Sequence, residues 1–577
     1  MLRLEDIPVE VLLDNLLPSL PIADLLRLGS TNHFFASLCS DDTFWKRKLQ
    51  QDFNFSDEGT ARSSGWKFIY QGLSHPSTYV WGESSNGRLG SQKFPRSNIR
   101  GVPFPVKLRF DSGVRIVHIA AAGMCFFALD SKGNLYAWGT LNGLVYSLRS
   151  DGYSAPGKPA HTPMKLNLPT AMRAISCGRL HATSLDDKLN VWNFLSFGRP
   201  FRLVTPLLDG TTPDSTPVQV ESGWSFSSVL TKGGDVYVWW PMHGEVKQLV
   251  DARNAAMDEE GLYPHATEDG TIPCAHWELP TDPYRLPELP RLPKLDGTNT
   301  EEMDVYIVKV AALDSHLIGL TNRGHVVKIL VQTSDTARLE GWVYLPQFSE
   351  SEIIKQHLPS ASPDLSSLQD IHITHISAQF ETFVAYSTGS SSVVLMGSHE
   401  TDPNTEPRIL PALQNINVIS VVLGDYHFGA LTSTGKLLTW GQYSCGALGL
   451  GDPTKIEPGQ PGGYRTEQQR QHALQRGGFP PAVTQPTEVR FDHGEKRNRK
   501  RFCFAATSAG WHMGALVIDL EPDPNEEENT FPMPGGFPSD PGPSTFINPP
   551  GSRGIPRSSI FRIGFAGRGA TGGSRGR

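Results

Sequence analysis

The chain reads as an all-β seven-bladed propeller, preceded by a small all-α domain and followed by a disordered C-terminal tail. Three observations predict this. A strand–turn–strand unit recurs along the middle of the chain, as in IAAAGMCFFALDSKGNLYAWG from Ile119 to Gly139 and VVLGDYHFGALTSTGKLLTWG from Val421 to Gly441. The unit is split between the two ends of the repeating region, which is how a ring of sheets closes without leaving an exposed edge. The first fifty residues, by contrast, hold twelve leucines at helical spacing and no strand pattern.

The helices come first. In Leu4-Glu5-Asp6-Ile7-Pro8-Val9-Glu10-Val11-Leu12-Leu13, Pro8 suits a first helical turn, where its missing N–H costs nothing, and Glu10 complements the positive helix end. Val11, Leu12 and Leu16 fall on helical spacing, and Pro18 is expected to stop the run. Ile22, Leu25, Leu26 and Leu28 form a second short helix, and Phe34, Phe35 and Leu38 a third. Asp41 or Asp42 caps a fourth that carries Phe44, Trp45 and Leu49. So short a set, residues 1–50, buries too little to stand alone. It therefore reads as a docking surface completed by another protein. Residues 51–77 are a connector in which Trp66, Phe68, Ile69 and Tyr70 add a further helical turn or two.

The propeller is expected over 78–520. Each full unit has an apolar strand, a Gly-centred hairpin turn such as Ser131-Lys132-Gly133 or Ser433-Thr434-Gly435, and a strand ending in Trp-Gly. Looser copies lie at 174–193, 218–240, 308–330 and 373–397. The half unit Ala505 to Leu520 is matched by Tyr79-Val80-Trp81-Gly82, and counting that split unit once gives seven blades. Trp81, Trp138, Trp192, Trp239 and Trp440 read as blade core. His181, His316, His427 and His512 share one repeat position with Cys125, Phe226 and Thr382. A metal-binding or catalytic group does not alternate with Phe around a ring, so these are expected to pack or hydrogen-bond within their blades.

Insertions interrupt the units at 241–305, which is Pro-rich, at 331–370 and at 452–486; loops on a rigid scaffold are natural places for binding residues. Cys274 and His276 lack a second ligand pair and make no zinc site. The basic run Lys496-Arg497-Asn498-Arg499-Lys500-Arg501 reads as a solvated loop end, with nuclear import or phosphate binding as alternatives. Residues 521–577, first acidic and then Pro/Gly/Ser/Arg-rich, cannot bury enough to fold.

Composition narrows the function classes. The net charge of −7 gives no overall pull toward nucleic acid. Six scattered cysteines with no C-x-x-C pair fit a reducing compartment. The longest nearly apolar run, Ile116 to Leu129, contains His118 and is too short to span a bilayer; the chain is expected to be cytoplasmic, nuclear or both. There is no Gly-x-Ser-x-Gly elbow, no phosphate-binding P-loop and no cysteine in a catalytic motif, so neither an enzymatic centre nor a cofactor is expected.

Two resemblances sharpen this. Ile7-Pro8-Val9-Glu10-Val11-Leu12, Leu17-Pro18-Ser19-Leu20-Pro21, Asp24-Leu25-Leu26-Arg27-Leu28, Asn32-His33-Phe34-Phe35 and Asp42-Thr43-Phe44-Trp45 together resemble an F-box. The departures are Ile7 where Leu is commonest, and Phe35 near the place of a frequent Trp. The resemblance implies docking onto the Skp adaptor, and through it onto the cullin and RING subunits of an SCF ubiquitin ligase. It makes Leu4, Ile7, Pro8, Val11, Leu12, Leu16, Leu25, Leu28, Phe34, Leu38 and Trp45 the adaptor-binding residues. A competing reading makes the same leucines the core of a helical cap packed on the next domain. The repeats resemble those of the regulator of chromosome condensation family, in Gly424-Asp425-Tyr426-His427 and in the loops Gly87-Arg88-Leu89-Gly90 and Gly446-Ala447-Leu448-Gly449. Together the two parts look like the fungal SCF-associated-factor type. That implies a non-catalytic receptor whose propeller holds a protein substrate for ubiquitination; the alternative is a guanine-nucleotide exchange factor or chromatin-binding scaffold.

Overall fold

The structure, a computed structural model, describes residues 4–521 apart from 57–58, 92, 95–98, 143–151, 296–303, 332–338, 359–370, 390–391 and 494–498. The tail beyond 521 and Lys496, Arg497 and Asn498 of the basic run thus lie outside the described residues.

Seven sheets, antiparallel except for two added edge strands, form the blades of a propeller, and the innermost strand of each runs along a central channel. The closing blade has the spatial order Val102–Leu108, Ser77–Gly82, His512–Asp519, Arg501–Ala509. Trp81 pairs with Met513 and Val80 with Gly514, so the two ends of the repeating region close one sheet. The innermost strands of the other six are Ile116–Ala121, Met172–Cys177, Pro217–Ser222, Ile307–Ala312, His375–Gln379 and Val418–Leu423.

The two Gly-x-Leu-Gly loops lock neighbouring blades together. Trp81 is fully buried and donates its indole N–H to the carbonyl of Ala447 at 2.7 Å. At Gly449 (φ +69°) a Cβ would lie 2.8 Å from Trp81 Nε1, and at Gly90 (φ +63°) one would lie 2.9 Å from Trp138 Cδ1. Each loop is thus a glycine floor under the tryptophan of the next blade, where both the backbone angle and the close approach exclude a side chain.

The Pro-rich insertion is more ordered than its composition suggests. It contains the helix Gly244–Glu259 and then three short strands. Thr271–Pro273 pairs in parallel with Ala160–Asn167, Trp277–Pro280 in parallel with Phe201–Val204, and Tyr284–Arg285 antiparallel with Val236–Trp239. One segment therefore straps the outer edges of three successive blades. Proline is tolerated there because an edge strand needs only one row of backbone bonds. The other two insertions supply the outer strands Val343–Tyr344 and Val483–Glu488 of their blades.

Three of the repeated histidines bridge blades rather than bonding within them, which corrects the sequence expectation. His181 Nε2 lies 2.9 Å from Ser227 Oγ, His427 Nε2 2.9 Å from Ser508 Oγ, and His512 Nε2 3.3 Å from the carbonyl of Cys125, each in the following blade. The repeat position opens the second strand of its blade, where the side chain faces the seam between blades. Burial holds the His181 and His427 imidazoles down at about 4 and that of His512 well below the ordinary value.

The helical region packs onto the closing blade. Leu12, Leu17, Leu25, Phe35, Leu38, Trp45, Leu49, Trp66 and Ile69 share one continuous core with Val80, Phe126, Phe504, Leu516 and Ile518. The ring of Phe68 meets that of Phe502 edge-on at 4.8 Å. Pro18 does not stop the first helix as expected; it sits inside the turn Leu17–Ser19, and the chain leaves the helix at Leu20. The preceding Leu12–Leu16 is a wide π-type turn in which Leu17 N–H bonds Leu12 O. The longer i→i+5 register gives the ring room without the clash a tight helix would impose.

Candidate functional site

Two surfaces stand out, one on the helices and one at the end of the channel away from the connector.

On the helices, capping fixes the geometry. Asn32 accepts from Phe35 N–H at 2.9 Å and Asp41 from Phe44 N–H at 2.8 Å, starting the helices His33–Leu38 and Asp42–Phe53. Asp42 caps as well, but a different helix: it accepts from Trp66 N–H at 2.9 Å at the head of Trp66–Gly72. Trp45 donates its indole N–H to Cys39 O at 2.9 Å. These bonds divide the eleven residues of the sequence expectation into three groups. Leu12, Leu25, Leu38 and Trp45 are buried in the core shared with the propeller. Ile7, Leu16, Leu28 and Phe34 are partly buried against it. Leu4, Pro8 and Val11 are exposed. Sequence reasoning missed Val9 and Leu26, which are also exposed; Leu26 shows 50% of its surface and Val11 45%, against 0% for Leu25 and Leu12. The signal was in the apolar neighbours Val11-Leu12 and Leu25-Leu26: residues one apart on a helix point about 100° apart, so both cannot face one core. Leu4, Val9, Val11 and Leu26 are large apolar side chains left in water.

The connector from the helices then covers one end of the channel. Asn54 donates to Met172 O at 2.8 Å, Ala61 N–H to Ile419 O at 2.6 Å, and Arg62 to Ser433 O at 3.1 Å. Met172 and Ile419 lie at the starts of innermost strands. Gly59 thereby helps enclose a polar cavity of about 130 Å³ with Gln219, Glu221, Lys309, His375 and Ser420.

The other ends of the innermost strands stand one strand length away, about 20 Å for six residues. Here the turns that follow the strands touch in a ring. Gly123 N–H donates to Gly178 O, Arg179 N–H to Gly223 O, Trp224 N–H to Asp314 O, Asp314 N–H to Phe380 O and Asp425 N–H to Gly510 O. A Cβ on Gly178 would lie 2.1 Å from Gly223 O, so the turns meet backbone to backbone. Arg179 reaches across this mouth, its Nη1 at 2.8 and 2.7 Å from the two carboxylate oxygens of Asp425. The guanidinium lies over the rings of Trp224 (5.0 Å) and Phe380 (5.7 Å). Phe380 holds a φ of +55°, a conformation a bulky side chain rarely adopts, and its ring meets Tyr426 edge-on at 5.8 Å. Trp224 and Tyr426 are exposed. Asp314 is half-buried among these groups; burial, with Asp425 and Glu381 nearby, pushes its carboxyl up to about 7 against the pull of Arg179.

Residues 77–129 match the family model "Regulator of chromosome condensation (RCC1) repeat". SCF-associated factor 1 of Saccharomyces cerevisiae is 36% identical over 110 residues, 18% of this chain and 14% of that protein. F-box protein pof9 of Schizosaccharomyces pombe is 26% identical over 149 residues, 25% of this chain and 28% of that protein. The mouse RCC1-like G exchanging factor-like protein is 24% identical over 420 residues, 65% of this chain and 80% of that protein. The stretches matched in the two yeast relatives are thus well under half of their lengths. The seven blades form a propeller in which residues 77–129 are similar to an RCC1 repeat, joined to helices through a shared core.

Proposed function

We propose that this chain is the substrate-recognition subunit of an SCF-type (cullin–RING) E3 ubiquitin ligase, with the helices as an F-box bound to a Skp-type adaptor and the propeller holding the protein to be ubiquitinated. The reading rests on one observation above all: four large apolar side chains, Leu4, Val9, Val11 and Leu26, are exposed on helices whose buried residues share the propeller core. Large apolar side chains left in water on helices anchored in a shared core fit a protein partner. The partial similarity to SCF-associated factor 1 and F-box protein pof9 supports the same assignment. The chain then contributes no nucleophile. It raises the effective concentration of a substrate lysine near a thioester carried by another subunit, in the cytoplasm or nucleus.

The test is capture of purified Skp adaptor by the full chain and by Leu26→Asp. A carboxylate forced into an apolar interface is costly enough to abolish capture, whereas on the free protein the introduced carboxylate would be solvated and the melting temperature unchanged. Undiminished capture by the folded variant, or none by the wild type, overturns the assignment. The long alignment with the G exchanging factor-like protein favours a second reading, a propeller acting as exchange factor or chromatin-bound scaffold. Acceleration of nucleotide release from a small GTPase by the full chain would support it, and unchanged release would count against it.

A further inference from the structure

We propose that the open mouth of the channel is a receptor for a lysine or arginine side chain presented by a linear segment of a captured protein, held between Trp224 and Tyr426 and the carboxylates of Asp314 and Glu381. The inference rests on the receptor reading above and adds the chemistry of the ligand to it.

Arg179 already demonstrates what the mouth accepts. Its guanidinium lies over two aromatic faces and pairs with Asp425, the combination that stabilises a partly desolvated cation. Arg179 does not by itself balance the three carboxylates Asp314, Glu381 and Asp425; the buried Arg88, within electrostatic reach of Arg179, is set against Glu83. Asp425 is the partner of Arg179, and no hydrogen bond or ion pair within contact distance engages the side chains of Asp314 or Glu381 among the described residues. Burial raises the Asp314 carboxyl first, and the charges of Asp425 and Glu381 add to it; a second cation beside it would offset both. The aromatic groups are arranged for the same purpose. Trp224 and Tyr426 are exposed beside Arg179, and the backbone spends an unfavourable φ at Phe380 to bring a third ring into the group. At the equivalent turn of the closing blade the residue in that conformation is Gly510, at φ +50°, so the turn itself does not call for a ring. The connector bonds across the opposite end of the channel, whereas at this mouth Trp224 and Tyr426 are exposed.

The experiment uses immobilised full-length protein and three nonapeptide libraries with randomised flanks and a fixed central arginine, lysine or glutamine. It is run at about 150 mM salt, where the screening length is about 8 Å and remote charges contribute little. The wild type is expected to retain the arginine and lysine libraries about tenfold more than the glutamine library. Trp224→Ala and the pair Asp314→Asn/Glu381→Gln should each abolish that preference. The pair Glu259→Gln/Glu268→Gln, which removes the same charge from exposed acids of the insertion, should keep it. Equal retention of the three libraries by the wild type, or a preference that survives in the mouth variants, overturns the proposal. Adaptor capture measured on the same preparations separates the two claims: loss of capture alone removes the ligase reading, and loss of the cation preference alone removes this one.

Discussion

His181, His427 and His512 each link one blade to the next while fully buried, and do so as neutral imidazoles. In the unfolded chain a histidine titrates near about 6.5, while burial holds His181 and His427 down at about 4. Below about 6.5 the unfolded state therefore binds protons that the folded state refuses. Their stabilisation is complete above that pH and is lost as the pH falls toward 4. Asp314, with its carboxyl pushed up to about 7, acts in the opposite direction over the same range. The variant His427→Gln isolates the histidine effect: urea melts between pH 7.5 and pH 5 should show a smaller loss of stability than the wild type, and an equal loss would contradict the seam assignment. Gly449→Ala tests the glycine floor. It meets both a φ of +69° and a contact of 2.8 Å with Trp81, and should cost about 1–3 kcal/mol in equilibrium unfolding. A cost within about 0.5 kcal/mol would show that the loop has room to move. The glycines and tryptophans of these motifs were legible in the sequence. That the loop of one blade lies under the tryptophan of the next was not, because Gly449 and Trp81 lie in opposite halves of the chain.

Among the elements, the N-terminal helices and the strap behave differently. For the helices, number and order were readable from apolar spacing, and caps at Asn32 and Asp41 fit the composition of helix starts. Which leucines face inward was not readable, since Leu12-Leu13 and Leu25-Leu26 are apolar on adjoining faces and the burying partner is a blade contributed mainly by residues 501–519. Leu25→Asp accordingly differs from Leu26→Asp: it places a carboxylate in a closed core and should destabilise by several kcal/mol, about 3 or more, detected as an early unfolding transition. An unchanged melt would mean the helices do not share the propeller core. The strap escaped sequence reading because its strands Thr271–Pro273 and Trp277–Pro280 are too short for a period and are broken by proline. Amide exchange should be slow at Ile272 and Leu279, which are buried and paired, and fast in the turn around Asp269. Equal exchange across 265–280 would contradict the pairing.

In the whole molecule the two ends of the channel are not equivalent. The connector bonds to Met172, Ile419 and Ser433 at one end, while Arg179, Trp224, Phe380 and Tyr426 line the other. The propeller and its closure across the chain ends were written plainly in the repeats. The open mouth was invisible, because Arg179 and Asp425 lie 246 residues apart and each looks like an ordinary turn residue in its own unit. On the proposed reading the adaptor and the substrate take separate surfaces, so adaptor binding should leave the mouth untouched. Hydrogen-exchange mass spectrometry of the full chain with and without purified Skp adaptor tests that most directly. The account predicts protection across residues 4–29, where Leu4, Val9, Val11 and Leu26 are exposed, with exchange unchanged at 223–226 and 424–426. No protection of the helices, or protection at the mouth instead, would contradict it.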